Sequence, residues 1–158
     1  MLYLGVGGAC IGGLRLLPSE SAAGPLTVFF LVSIWLGDTG AYYLGKTFGR
    51  HRMSPRISPK KTWEGLTGGI VTTFAAAAVV KMVFSLPLSW PQTMALAAIL
   101  AVCAPVGDLV ESLFKRDTGV KDSSGLLLGH GGFLDRTDSL VFSGPPVLGY
   151  LLLTGALP

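Results

Sequence analysis

Five long apolar segments, with few charges inside them, constrain the fold of this chain more than any other feature. They cover residues 1–17, 25–45, 66–86, 92–114 and 140–157. A helix needs about 20 mainly apolar residues to cross the hydrocarbon core of a bilayer, so the last four are long enough and the first is marginal. Backbone groups inside lipid must be hydrogen-bonded within the segment, which favours helices. The sequence therefore predicts an all-α, polytopic integral membrane bundle with about five transmembrane helices.

The composition excludes an ordinary soluble domain. Half of the residues are hydrophobic and only 13% are charged, against about 25% charged residues in a typical globular chain. The two cysteines, Cys10 and Cys103, lie in apolar segments without metal-type spacing, which indicates neither a disulfide framework nor a zinc site. The 22 glycines suit close helix packing in lipid and would also permit a homodimer. We expect one membrane-embedded catalytic domain over residues 1–158, without internal repeats.

Basic residues are concentrated in two polar segments, 46–65 and 115–139. Six of the twelve lysines and arginines fall in 46–61 and four in 115–136. By the positive-inside rule both segments should face the cytoplasm, as loops at the same end of the bundle. The net charge of +3 is then one-sided, which suits anionic lipid head groups or phosphates rather than nucleic acid. The expected result is a polar cavity that opens to the cytoplasm.

Acidic residues at membrane depth indicate what such a cavity could contain. Asp38, Asp108 and Glu111 lie at or inside apolar segments, where an aspartate costs about 2.5–3.5 kcal/mol on insertion scales and usually faces a polar interior. A helix would place Asp108, Glu111 and Lys115 on one face. A salt bridge between Glu111 and Lys115 is the simpler alternative, but it leaves Asp38 and Asp108 unexplained.

The polar segments supply groups that complement these carboxylates. Glycines at 129, 131 and 132 let a ligand approach the backbone, cationic or polar side chains can meet phosphate oxygens, and carboxylates can hold a hard cation. The phosphate-binding candidates are Ser58, Lys60, Lys61, Thr62, Lys121, His130 and Arg136, and the cation-binding candidates are Asp135 and Asp138. Ordinary solvated loops are the alternative. Acid and base together favour a metal-bound phosphate and hence phosphoryl or nucleotidyl transfer.

Three sequence blocks resemble those of a known family. "SLFKRDTGVKDSSGLLLGHGGFLDRTDS", residues 112–139, closely resembles the signature of phosphatidate cytidylyltransferases, also called CDP-diacylglycerol synthases. "GDTGAYYLGKTFGRH" and "ISPKKTWEGLTGG" are similar to two further blocks of that family, in the same order. Leu128 stands where the family usually has proline, so a rigid turn residue is missing. The family's additional N-terminal membrane helices are expected to be absent from this chain.

The resemblance implies an enzyme that joins CTP and phosphatidate, giving CDP-diacylglycerol and pyrophosphate, in a bacterial cytoplasmic membrane with the site on the cytoplasmic side. It also implies magnesium, and it leaves a second cation open. The expected catalytic residues are Lys60, Lys61, Asp108, Lys115, Arg116, Lys121, Asp135 and Arg136. The expected substrate-binding residues are Asp38, Ser58, Thr62, Glu64, His130, Gly131 and Gly132. The expected metal ligands are Asp108 and Asp135, with Glu111, Asp122 and Asp138 in supporting roles.

Three alternative functions remain open beside the one that the resemblance implies. The nearest are a related lipid cytidylyltransferase and a CTP-dependent lipid kinase, which would differ in substrate or in products. The third is a membrane transporter of an anionic solute, which acidic residues inside the membrane could serve. A transporter with a site at the bilayer midplane would not require the many phosphate-binding groups of the polar segments.

Overall fold

A computed structural model describes residues 2–15, 20–55, 57–117 and 134–156. Within these ranges the chain forms five helices and one small hairpin. The helices are α1 (Leu2–Arg15), α2 (Glu20–Phe48), α3 (Trp63–Phe84), α4 (Trp90–Asp117) and α5 (Leu134–Thr154), and the strands are β1 (Arg52–Ser54) and β2 (Ser58–Thr62). The predicted helical bundle is therefore confirmed.

Three of the described helices are long and apolar enough to cross a membrane, namely α2 over Ala22–Phe48, α3 and α4. Helix α1 has 14 residues, which at 1.5 Å per residue gives a length of about 21 Å. Helix α5 begins with the polar sequence "LDRTDS" and contains Pro145 and Pro146. Length and composition thus support an integral membrane protein through three of the five segments that the sequence predicted to span.

The segment 46–65 is not the loop that the sequence predicted. Helix α2 continues to Phe48, and strands β1 and β2 pair in antiparallel fashion, with Arg52 opposite Thr62 and Ser54 opposite Ser58. These strands are short, polar and without apolar alternation, so their sequence carries none of the usual signals of a strand. Their pairing depends on α2 and α3, which bring the two ends of the segment together.

The hairpin lies at the same end of the bundle as the carboxyl end of α4. Arg116 donates a hydrogen bond from Nε to the carbonyl of Ile57 at 3.3 Å. Strand β2 leads directly into α3. Its last residue, Thr62, is the N-cap of α3, and the Thr62 side chain accepts a hydrogen bond from the N–H of Gly65 at 3.1 Å. Arg116, in the described part of the second basic segment, thus lies beside the hairpin formed by the first.

Glycines allow α2 and α3 to form the most extensive helix contact in the described chain. A Cβ added at Gly65 would lie 2.8 Å from the backbone oxygen of Ala41, and one at Gly69 would lie 3.1 Å from that of Gly37. A side chain at Gly65 would therefore have to displace the α2 backbone, and one at Gly69 would require a small movement of its neighbours. Small residues permit close approach of helices in lipid, and here they pack the turn of α2 that contains Gly37 and Asp38 against α3 near Gly69 and Thr73.

Replacing Gly40 by alanine should weaken this contact. The added Cβ would lie 2.8 Å from the Cβ of Thr72, so one helix must shift, and overpacking of this kind costs about 1–3 kcal/mol. We expect a lower unfolding temperature of the purified protein in detergent. Gly149→Ala is the matched control, because a Cβ there meets no atom of the described chain within 4 Å. Equal unfolding temperatures for the two variants would contradict the close packing.

The opposite end of the bundle is closed by the turn between α3 and α4. Ser85 ends α3 in the left-handed conformation, with φ 48°. The Lys81 ammonium donates hydrogen bonds to the carbonyls of Leu86 and Leu88 and lies over the ring of Trp90, 5.4 Å from its centroid. Lys81 is thus bound to the turn at the end remote from the hairpin.

The start of α5 packs directly on α4. A Cβ added at Gly107 would lie 2.6 Å from the Cβ of Phe142 and 3.1 Å from the backbone oxygen of Asp138. Gly107 therefore lets α5 approach at the level of Asp108. Below this contact the core is apolar, and Phe29, Phe30, Leu96 and Leu100 are fully buried.

Candidate active site

A large cavity of about 1390 Å³ lies at the hairpin end of the bundle. Its walls come from α2, the hairpin, the first turns of α3, the second half of α4 and the start of α5. The volume exceeds the roughly 300–1,000 Å³ of most small-molecule pockets. Polar and charged side chains line the hairpin end of this cavity, whereas Ile34, Leu100 and Ala101 line its deeper part.

Four carboxylates from three helices line the cavity. They are Asp38 of α2, Asp108 and Glu111 of α4, and Asp138 of α5. Asp38 interacts electrostatically with both Asp108 and Asp138, and Asp138 forms a side-chain hydrogen bond with Glu111. Glu111 and Asp138 are buried, with 5% and 7% of their surface exposed. The α4 face predicted from the sequence is confirmed, because Asp108, Glu111 and Lys115 all reach the cavity.

Two lysines partly neutralise this acidic group. The Nζ of Lys61 lies 2.7 Å from Oδ2 of Asp108 and donates a hydrogen bond to the carbonyl of Pro105 at 3.2 Å. The Nζ of Lys115 lies 3.3 Å from Oε1 of Glu111. The salt bridge proposed as the simpler alternative therefore exists, but it is one part of a larger charged cluster. Lys61, on β2, thus connects the hairpin to α4, as does the hydrogen bond from Arg116 to Ile57.

The hairpin side of the cavity carries further groups suited to anions. Ser58, Lys60 and Thr62 line it, as expected from the sequence. Further polar or charged residues that were not predicted also line the cavity, among them Lys46, Arg50, Arg52, Thr137 and Ser139. Arg50 and Arg52 looked like part of a basic run that sets membrane orientation. If the sequence had indicated a hairpin over residues 52–62, Arg50 and Arg52 would have been expected to line the same cavity as β2.

Glu64 and Arg116, two predicted site residues, lie outside the cavity wall. The Glu64 carboxylate accepts hydrogen bonds from the backbone N–H groups of Arg50 and His51 and contacts the His51 ring. Arg116 bonds instead to the hairpin carbonyl of Ile57. The structure thus gives both side chains contacts that hold the hairpin region.

Several predicted site residues belong to the part of the chain that the structure does not describe. Lys121, Asp122, His130, Gly131 and Gly132 lie outside the described residues, and Asp135 and Arg136 are placed on α5 without a description of their side chains. Within the described ranges, no three histidine, cysteine or acidic side chains come together as a metal site. Asp135 precedes Asp138 by one helical turn, which places its backbone at the same end of α5.

The donor atoms that meet in this cavity define what it can bind. Carboxylate oxygens are the ligands that hard divalent cations take, and lysine and arginine side chains pair with phosphate oxygens. The carboxylates of α2, α4 and α5 and the basic residues of the hairpin line the same cavity, and Lys61 contacts Asp108. The arrangement fits a phosphate-rich anion that arrives with a divalent cation.

The chain matches the sequence profile of the cytidylyltransferase family over residues 1–154. It is 46% identical over 114 residues to a phosphatidate cytidylyltransferase of Bacillus subtilis, which covers 72% of this chain and 42% of that protein. It is 40% identical over 124 residues to the phosphatidate cytidylyltransferase of Haemophilus influenzae, covering 76% and 43%. With that of Pseudomonas aeruginosa it shares 42% identity over 144 residues, covering 90% and 53%. The chain thus spans about half the length of these relatives.

Proposed function

Because this chain belongs to the cytidylyltransferase family, we propose that its cavity transfers a cytidylyl group from CTP to phosphatidate. The products are CDP-diacylglycerol and pyrophosphate, as in phospholipid biosynthesis. One observation carries the proposal: acidic side chains of three helices and basic residues of the hairpin line one cavity in an integral membrane protein. A lipid phosphate and a nucleotide triphosphate both need such a site, and the relatives are named for this reaction.

In the reaction a phosphate oxygen of phosphatidate forms a bond with the α-phosphorus of CTP. The bond from that phosphorus to the bridging oxygen breaks, and its electron pair leaves with pyrophosphate. The attacking phosphate is already an anion at neutral pH, so no strong general base is required. Positioning and neutralisation of charge should then supply most of the rate enhancement.

The basic residues on the hairpin side would hold the phosphates in this scheme. Lys60 and Lys61 of β2 and Lys115 of α4 line the cavity, and Lys121 and Arg136 are further candidates from the family signature. Lys61 already contacts Asp108, so it would lie between that carboxylate and a bound phosphate. Ser58 and Thr62 add hydroxyl groups beside it.

The acidic residues fit a magnesium ion by the chemistry of their oxygens. Asp108 and Asp135 would hold it, with Glu111, Asp122 and Asp138 as additional or supporting ligands, and Asp38 faces the same space. The ion would neutralise charge on the triphosphate and stabilise the pyrophosphate leaving group. Without a cation or another positive partner, so many carboxylates in one cavity would repel one another.

One assay tests the proposed function and separates it from its alternatives. Purified protein in detergent is incubated with labelled CTP, phosphatidate and magnesium, and the lipid and phosphate products are identified. We expect CDP-diacylglycerol and pyrophosphate in equal amounts. Formation of CDP and a phosphorylated lipid would indicate a kinase, and product only from another lipid phosphate would indicate a related cytidylyltransferase. Binding of an anionic solute without any turnover would favour the transporter.

The proposed site lies on the cytoplasmic side of the bacterial cytoplasmic membrane, and cysteine labelling tests this orientation. Arg52, Asp117 and Ser89 are exposed, with the first two at the hairpin end and Ser89 in the opposite turn. Single cysteines at 52 and 117 should react with an impermeant reagent only from the cytoplasmic side, and one at 89 only from the other. Reaction of 52 and 117 from opposite sides would contradict a shared cavity.

A further inference from the structure

The segment 49–51, between α2 and β1, is hydrogen-bonded to the carboxylate of Glu64. Oε2 of Glu64 accepts a hydrogen bond from the Arg50 N–H at 3.1 Å and from the His51 N–H at 3.2 Å. Oε1 lies 2.6 Å from Nδ1 of His51. The backbone N–H of Trp63 also donates to the carbonyl of His51 at 3.0 Å. Glu64 thus connects the end of α2 to the start of α3.

The contact made by Glu64 fixes the backbone next to two arginines. Arg50 and Arg52 flank His51 and both line the cavity, whereas Glu64 does not. The backbone that carries them is fixed at 50 and 51 by the carboxylate, and at 52 by pairing with Thr62. Hydrogen bonds to an ionised acceptor are shorter and stronger than neutral ones. The loss of this acceptor should therefore release Arg50 and the residues beside it.

From this geometry we infer that Glu64 is a positioning residue, which holds the 50–52 segment so that Arg50 and Arg52 present their cationic side chains to a phosphate group in the cavity. The inference rests on the proposed function for the identity of the phosphate. Both the CTP triphosphate and the phosphatidate head group carry the required chemistry. Arginine suits either one, because its planar fork of donors matches phosphate oxygens.

Hydrogen–deuterium exchange of the purified full chain tests the contact without any reference to activity. In Glu64→Ala the peptide covering 49–53 should exchange faster than in the wild type, since two of its N–H groups lose their acceptor. Glu64→Gln keeps one acceptor oxygen and should lie between the two. Glu64→Gln also provides the measurement if Glu64→Ala does not fold. Unchanged exchange in both variants would overturn the inference.

Enzyme kinetics then test whether the 50–52 segment contributes to substrate binding. We expect the KM for CTP, for phosphatidate or for both to rise about tenfold or more in Glu64→Ala, with a smaller change in kcat, and the affected substrate identifies the phosphate. A lower unfolding temperature with both KM values unchanged would make Glu64 only a stabilising residue and overturn the inference. Asp117→Asn, an exposed acidic residue outside the cavity wall, should match the wild type.

A second variant separates the backbone contact from the histidine ring. His51→Ala removes the ring contact with Glu64 but keeps the N–H that the carboxylate binds. We expect exchange and both KM values near those of the wild type, and an effect equal to that of Glu64→Ala would overturn the assignment to the backbone. A wild-type chain that forms no CDP-diacylglycerol would refute the proposed function, while the exchange result would still decide whether Glu64 holds the segment.

Discussion

Asp108→Asn is expected to remove nearly all magnesium-dependent cytidylyl transfer, a loss of about a thousandfold or more. Asp108 lies on the cavity wall, 2.7 Å from the Lys61 ammonium and in electrostatic contact with Asp38 and Asp138. Asparagine keeps the shape of the side chain but removes the charge that a divalent cation requires. A thousandfold loss corresponds to about 4 kcal/mol of transition-state stabilisation. The measurement is initial turnover of CTP and phosphatidate at saturating magnesium.

Two further variants show whether this loss reflects a shared cation. Asp135→Asn should have an effect of similar size, and the double variant should be little worse than either single one, because ligands of one ion act as a unit. Asp117→Asn is the matched control and should retain most activity. All variants should remain folded and inserted in the membrane, as judged by size-exclusion chromatography in detergent. Losses that multiply as for independent sites would refute a common cation.

Lys61→Ala is expected to reduce turnover by about a hundredfold or more, and Lys60→Ala by about tenfold. A charge-assisted hydrogen bond contributes about 1.5–3 kcal/mol. Lys61 is more buried than its neighbour and contacts both Asp108 and the Pro105 carbonyl, whereas Lys60 is exposed at the cavity rim. Removal of Lys61 therefore leaves Asp108 without its ammonium partner and also removes a cation from the phosphate site. The same turnover assay measures both effects.

Lys81→Ala is the comparison for these lysine variants. It removes the same side chain at the opposite end of the bundle, where Lys81 bonds to carbonyls of the turn. We expect a lower unfolding temperature with turnover of the folded protein intact. Wild-type turnover in both Lys60→Ala and Lys61→Ala would mean that these lysines only set membrane orientation.

The sequence predicted the helices well because lipid leaves the backbone few alternatives. Apolar segments that cross lipid must satisfy their backbone hydrogen bonds internally and so form helices, and the predicted segments agree with α2, α3 and α4. The face that carries Asp108, Glu111 and Lys115 was also predictable, since helical periodicity alone places them together. The meeting of Asp38 with Asp108 was expected only in general terms. It depends on how α2 and α4 pack in the bundle, and the sequence does not show which residues of the two helices become neighbours.

The hairpin and its contacts could not be predicted in the same way. Strand β2 contains two adjacent lysines that seemed equivalent in the sequence, but successive side chains of a strand point in opposite directions. Only Lys61 therefore reaches α4. Glu64 was expected at the substrate, and its partners at 50 and 51 become neighbours only after α2 and α3 have packed. Such tertiary contacts leave no periodic signal in the chain.

The close contact between α2 and α3 also sets an order of assembly while the protein is being synthesised. These helices are consecutive in the chain and joined by a short hairpin, so they can pair as soon as both have entered the membrane. We expect this pair to form before α4, which follows it in the chain, has entered the membrane. Asp38 and Lys61 would then be brought together first, and Asp108 would meet Lys61 only when α4 packs against them.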